Sequence, residues 1–187
     1  MKLDRFTSAS QQALSDAQSE ASRRNHAEVS GLHLLAAMLE DAASPANSIL
    51  GRAGFEPRRV GDVLSAELGR LPTVSGAAPQ VGRGMVELLT KAEGEARRMS
   101  DSYVSIDHLL LAMFEASDKV RDIFRTVGVD RKRIEAAIAD IRKTSGMSNV
   151  TDPNAESNLE ALKKYTIDLT AANAVSNNLC PSSVANI

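Results

Sequence analysis

The chain has 187 residues, with 22 Lys and Arg against 24 Asp and Glu and 43% hydrophobic residues, the make-up of an ordinary globular domain able to bury its own core. A formal charge of −2 supplies no basic field for nucleic acid or acidic membranes, and the absence of Trp argues against a base-stacking platform. Its one cysteine, Cys180, rules out an internal disulfide, and no apolar run approaches the roughly 20 residues of a membrane span. The start, MKLDRFTSAS, lacks the apolar segment of a signal peptide, so a cytoplasmic protein is the expectation.

Two stretches nearly coincide: VSGLHLLAAMLE from Val29 and VSIDHLLLAMFE from Val104, which set His33 and His108 75 positions apart. At that offset Leu14 meets Leu89, Ala17 meets Ala92, Glu20 meets Glu95, Ala21 meets Ala96 and Arg23 meets Arg98. After a one-residue gap, Ile49-Leu50 meets Ile123-Phe124, Gly54 meets Gly128 and Val60 meets Ile134. A match that runs through whole units marks a tandem structural repeat.

Each unit reads as four helices. In the first, Leu34, Leu35, Met38 and Leu39 stripe the second helix, and the fourth opens at Pro57, where proline suits a first turn that lacks N–H partners. The charge-free stretch LPTVSGAAPQ (Leu71–Gln80) joins the units as a loop. In the second unit the stripes are Met85, Leu88, Leu89, Ala92, Ala96 and Met99; then Ile106, Leu109, Leu110, Met113 and Phe114. Val120, Ile123, Phe124 and Val127 follow, stopped by Gly128, and Ile134, Ala137, Ile138 and Ile141 end the set. No stretch shows sustained strand alternation. The expectation is an all-α fold of two four-helix repeats, about 1–71 and 81–144, in one compact pseudo-twofold domain spanning 1–144.

Ser30 and Ser105 stand where N-caps belong, and His33 and His108 occupy the third helical position, where a neutral ring nitrogen can act as the Glu or Gln of a capping box does. A catalytic reading of the histidines lacks a Cys nucleophile or a Ser/Asp constellation in the sequence, and their spacing with His26 suits no metal. Arg23-Arg24, Arg58-Arg59, Arg97-Arg98 and the 131–133 run read as solvated helix faces. No GxxxxGK[ST] stretch occurs, so no P-loop is present and a binding module rather than an enzyme is expected, with neither metal nor cofactor in this chain.

The duplicated HLLxAM[LF]E helices, the opening MKLDRFTSASQQALSDAQ and the later ALKKYTIDLT together resemble the N-terminal region of the Clp family of AAA+ unfoldases, from Met1 to about Ala171. KLDRFT and LKKYTIDLT side with the protein-disaggregase branch, while the regulatory subunits of Clp proteases share the repeats. The resemblance implies a domain that binds unfolded or aggregated polypeptide through an apolar groove between the repeats. The alternative it leaves is a dock for adaptor or co-chaperone proteins. By the same resemblance, groove candidates are Thr7, Leu89, Asp101, Asp107 and His108, although Glu95 and His108 stand where relatives carry apolar groove residues. Leu89 reads equally as core, and Asp107 as a helix-dipole residue in a first turn.

Residues 145–157 have linker composition, and 158–172 resemble the start of the first ATPase module, which would bind ATP. From 173 to 187 the resemblance fails. With permitted codons NAVSNNLCPSSVAN reads in another frame as RRQQQLVPLIGRE, near what the family carries there, so a frameshifted tail in a truncated chain is the expectation and Cys180 is given no redox or catalytic role. Family hexamers assemble through the ATPase modules, so this chain is expected to be monomeric.

Overall fold

The computed structural model describes residues 3–156 apart from 75, 77 and 117. After a 3-10 turn at Leu3–Arg5 come helices α1 (Ser8–Arg23), α2 (Gly31–Glu40), α3 (Pro45–Arg52) and α4 (Pro57–Leu68), then α5 (Arg83–Arg98), α6 (Ile106–Ala116), α7 (Asp118–Val127) and α8 (Arg131–Thr144). The fold is all-α. Local chemistry sets the helix ends. The Thr7 hydroxyl accepts the Ser10 amide at 3.2 Å to start α1, and the Asp130 carboxylate accepts the Arg133 amide at 3.2 Å to start α8. Proline opens both α3 and α4. After α3 and α7 the chain turns at Gly54 and Gly128, with φ of 80° and 79°, a conformation that costs a side chain strain.

The two halves repeat each other in contacts as well as in sequence. The α1–α2 hairpin is matched by α5–α6. Across the halves, α3 lies on α6 and α8 while α7 lies on α2 and α4, the reciprocal pattern of a twofold. One continuous apolar core runs through both, from Phe6 and Leu34 to Phe124 and Ile138. Short strands, which no alternation announced, add to the symmetry. β1 (Glu28–Val29) pairs in parallel with β2 (Gln80–Val81), and the Phe6–Val104 bridge is its counterpart in the other half. Each pairing stitches the segment before one repeat's first helix to the segment before the other repeat's second.

The chain after α8 departs from the linker expectation. Val150 is fully buried, and its carbonyl accepts the amides of Ser102 and Tyr103 at 3.0 and 3.2 Å. Residues 147–156 lie as a strap over the start of α6 and the start of α1, because one apolar side chain and several backbone groups find partners there. The calls for backbone hydrogen bonding are met inside the domain, which a solvated linker would leave to water. The expected ATPase lead-in at 158–172 and the tail at 173–187, with Cys180, lie outside the described residues.

Candidate functional site

An open groove runs between α1 and α5, the two helices that the twofold makes equivalent. Leu14 forms one wall and Met85 with Leu89 the other, while Val29 and Val81 from the β1–β2 pair lie at its base. Gln11, Ser15 and Gln18 line its rim on α1. No charged side chain is among these residues. Val81 is 60% exposed, and Val86, the residue after Met85 on α5, is 48% exposed. These two and Val74 are the large apolar side chains that remain exposed among the described residues. Leu14 and Leu89 are the pair matched by the internal duplication, so the repeat itself held the signal for a groove with a leucine on each side.

Of the five groove candidates, only Leu89 lines this groove. Thr7 is buried; its amide donates to the Val104 carbonyl at 3.0 Å and its hydroxyl to Ser10 Oγ at 3.0 Å. The structure brings Asp101, Asp107 and His108 together, but in a buried network rather than on a binding surface. Their correction has a physical cause: their polar atoms are consumed by one another and by Arg142, a residue the sequence reading did not single out. Arg142 donates through Nη2 to Asp107 at 2.6 Å and lies 2.8 Å from Asp101. Burial alone would push the Asp107 carboxyl up, yet His108 and Arg142, with hydrogen bonds from Ser105 and Arg142, outweigh it and hold it below the usual carboxylate range.

The histidines occupy matching boxes. In the second repeat the Ser105 amide donates to His108 Nδ1 at 3.0 Å, which makes that nitrogen the acceptor and leaves Nε2–H to donate to Asp101 at 2.9 Å. In the first, the Ser30 amide donates to His33 Nδ1 at 3.0 Å, and Nε2–H donates to His26 Nδ1 at 2.8 Å. Both arrangements supply the reciprocal half of a capping box.

The fold thereby supplies the Ser/Asp partners that the sequence did not offer. Ser105 Oγ, His108 and Asp101 stand in line at 2.8 and 2.9 Å, the order of groups that activates a nucleophile in hydrolases. Here the line is structural. The Ser105 amide already occupies the nitrogen that would take the hydroxyl proton, and Ser105 is 1% exposed. The first repeat also keeps the same geometry with a neutral imidazole in place of the carboxylate.

The two boxes differ in a coordinated way. Where the second repeat has Asp101, Asp107 and Arg142, the first has His26, Leu32 and Leu68 at the matching positions, all buried. A charged set in one half thus takes the place of a neutral set in the other, and in each half the buried polar groups find partners within the set.

The neutral box has a pH consequence. Burial pushes His33 down to about 4, and the adjacent His26 adds to it; His26 is lowered by burial and by Arg24. A depressed imidazole binds fewer protons folded than unfolded, so its contribution is complete above about pH 6.5 and is lost as pH falls toward 4. Urea midpoints at about pH 7 and pH 4.5 are expected to show a loss on the order of 2–3 kcal/mol. His33→Gln retains an acceptor for the Ser30 amide and is expected to remove most of that loss.

Four arginines of the runs expected to be solvated instead pair with two buried glutamates. Buried Glu95 accepts from Arg131 at 2.7 Å and from Arg98 at 2.9 Å, and its counterpart Glu20 pairs with Arg23 and Arg24. Glu95 therefore leaves the groove uncharged despite its position on α5. Among the described residues no group of three or more His, Cys, Asp and Glu side chains could hold a metal ion, and no helix is long and apolar enough to cross a membrane.

A twofold domain of two four-helix repeats with a groove between equivalent helices defines a class, and residues 5–127 match the Clp repeat (R) N-terminal domain: the chain belongs to that family. Among named proteins it is similar to the chaperone protein ClpB of Vibrio cholerae, with 37% identity over 172 residues, 91% of this chain and 20% of that protein. The chain thus spans about a fifth of the length of the curated relatives it matches. Among solved structures, the Hsp104 N-terminal domain from Candida albicans superposes with a TM-score of 0.69 at 22% identity, covering 80% of this chain and 99% of that one. A ClpV N-domain in complex with a VipB peptide superposes with a TM-score of 0.61 at 23% identity, covering 73% and 86%. The structural likenesses concern the fold.

Proposed function

We propose that this chain engages unfolded or aggregated polypeptide as the N-terminal domain of a ClpB-type chaperone, through the groove between α1 and α5. The observation that carries this reading is the lining: apolar at the walls and base, uncharged throughout, with Val81 60% exposed. A patch of this kind gains free energy when an apolar segment covers it, without demanding a strict sequence. Single contacts of that size are weak, and several copies in one assembly strengthen them by multivalency. The identity with ClpB relatives supports the chaperone assignment, and the ClpV N-domain with its VipB peptide supports peptide binding by a domain of this shape. In this reading the chain turns over no ATP and needs no cofactor; the motor belongs to the part of the relatives that it does not span.

The test is fluorescence anisotropy with labelled lactalbumin, reduced and carboxymethylated so that it stays unfolded. Binding is expected at micromolar or weaker Kd and to change little between about 50 and 500 mM salt. Val81→Asp is expected to weaken it at least about tenfold while leaving the thermal midpoint in place, since the side chain is exposed. Unchanged binding by that variant rejects the groove. The second reading, a dock for one folded adaptor protein of a Clp protease regulator, draws on the same VipB complex. It predicts no lactalbumin binding and an adaptor interaction that fades as salt rises.

A further inference from the structure

We infer that residues 147–156 form a releasable latch that sets the last point at which the chain is held against the helices. The strap is tied at four points, the first being Asn149, whose side-chain amide donates to the Met99 and Ser100 carbonyls at 3.2 and 3.0 Å. At Val150, the amide donates to Asp101 Oδ1 at 2.7 Å and the carbonyl accepts Ser102 and Tyr103. At Pro153, the carbonyl accepts the Ser8 amide at 2.8 Å, the first turn of α1. At Glu156, the carboxylate accepts the Ile106 amide at 2.6 Å, the first turn of α6. Two of the ties thus satisfy helix-start amides that would otherwise be left to water.

These ties are polar, and little apolar surface backs them. Val150 and Ala155 are the strap's buried apolar residues, while Ser148, Thr151, Asp152 and Asn154 are exposed. Between α3 and α8 lies a pocket lined by Ile49, Ile138 and Ile141, with Asp107 and Arg142 at its polar side and the strap's own Met147, Val150 and Glu156 on its wall. The α8 helix ends on its own terms, through Gly146 at φ 69° and the Ser145 amide on the Ile141 carbonyl at 3.0 Å, both before the strap begins. Lifting the strap therefore leaves α8 closed off properly. Segments with few buried apolar contacts open below the global unfolding free energy.

Latched, the described chain is held through Glu156 beside α6. Released, it departs near Gly146, and the freed stretch adds up to about 35 Å of reach when extended. The device is a two-state tether length, and it stands whether or not the groove binds polypeptide.

Hydrogen exchange on the full chain tests it. The amides of Ser8, Ser102, Tyr103, Ile106 and Val150 are expected to exchange as a group, at least about tenfold faster than interior amides of α5 and α6 and at least about tenfold slower than free peptide. Val150→Gly is expected to speed that group about tenfold further and leave α5 and α6 unchanged. Exchange of the group at the rate of the helix interiors overturns the proposal, because the strap then opens only on global unfolding. Exchange at the free-peptide rate overturns it as well, since nothing is then latched. Equal loss of protection in the helices of the Val150→Gly protein also overturns it.

Discussion

Arg142→Leu is expected to destabilise the protein by about 3–5 kcal/mol, because it leaves the Asp101 and Asp107 carboxylates buried beside each other without their counter-charge. The substitution adds no cavity of consequence, and Leu is what the first repeat carries at the matching position, Leu68. Size and shape alone would therefore make it mild. The loss comes from charge. Replacing the whole set together, Asp101→His, Asp107→Leu and Arg142→Leu, installs the first repeat's neutral box in the second. That triple variant is expected to recover most of the stability lost by Arg142→Leu, since an apolar set of similar volume often equals or betters a buried ion cluster. Urea denaturation of the parent, the single and the triple variant measures both effects. If the triple variant is less stable than the single, the cluster is not a self-contained unit and the coordinated difference between the repeats has another origin. The Asp101→His change also removes the acceptor of the Val150 amide, so part of the strap's protection is expected to go with it.

Phe124→Ala is expected to cost about 3–5 kcal/mol by cavity formation. The ring is fully enclosed on α7, which packs against α2 and α4 of the other repeat, and it lies against Phe114 with centroids 4.6 Å apart. An aromatic pair of that kind adds about 0.5–1.5 kcal/mol beyond area. Phe124→Leu, which restores the residue of the first repeat, Leu50, is expected to cost clearly less than Phe124→Ala. A calorimetric ranking with the leucine variant the less stable would show that the halves are not interchangeable packing units at this position.

How much of this was legible in the sequence depends on the range of the interaction. The helical stripes, Pro57 as a helix start, Gly128 as a stop and the duplication rest on periodicity and on conformational limits within a few residues, and the structure has all of them. Leu89 was legible as both core and groove because the α5 stripe is wide enough to turn one edge outward. Asp101, Asp107 and His108 were misplaced because their partner Arg142 lies 34 to 41 positions away, on a helix whose visible stripe is Ile134, Ala137, Ile138 and Ile141. A signal was present nonetheless. Set against the first repeat, three positions change from neutral to charged with opposite signs, which is what a buried cluster requires. The strap was misread because polar, Gly- and Pro-containing composition describes a chain that builds no core of its own, and this segment instead borrows partners from helix starts that are themselves short of acceptors.

By itself the sequence determined the helices, their order, the doubling of the unit and the membership in the Clp repeat family, since each follows from local conformational preference or from identity along the chain. Tertiary structure alone decided which charges meet, which apolar side chains stay uncovered and where the chain after α8 is held. Those outcomes depend on distances between elements far apart in sequence, and burial raises the energy of every polar group that fails to find its partner there.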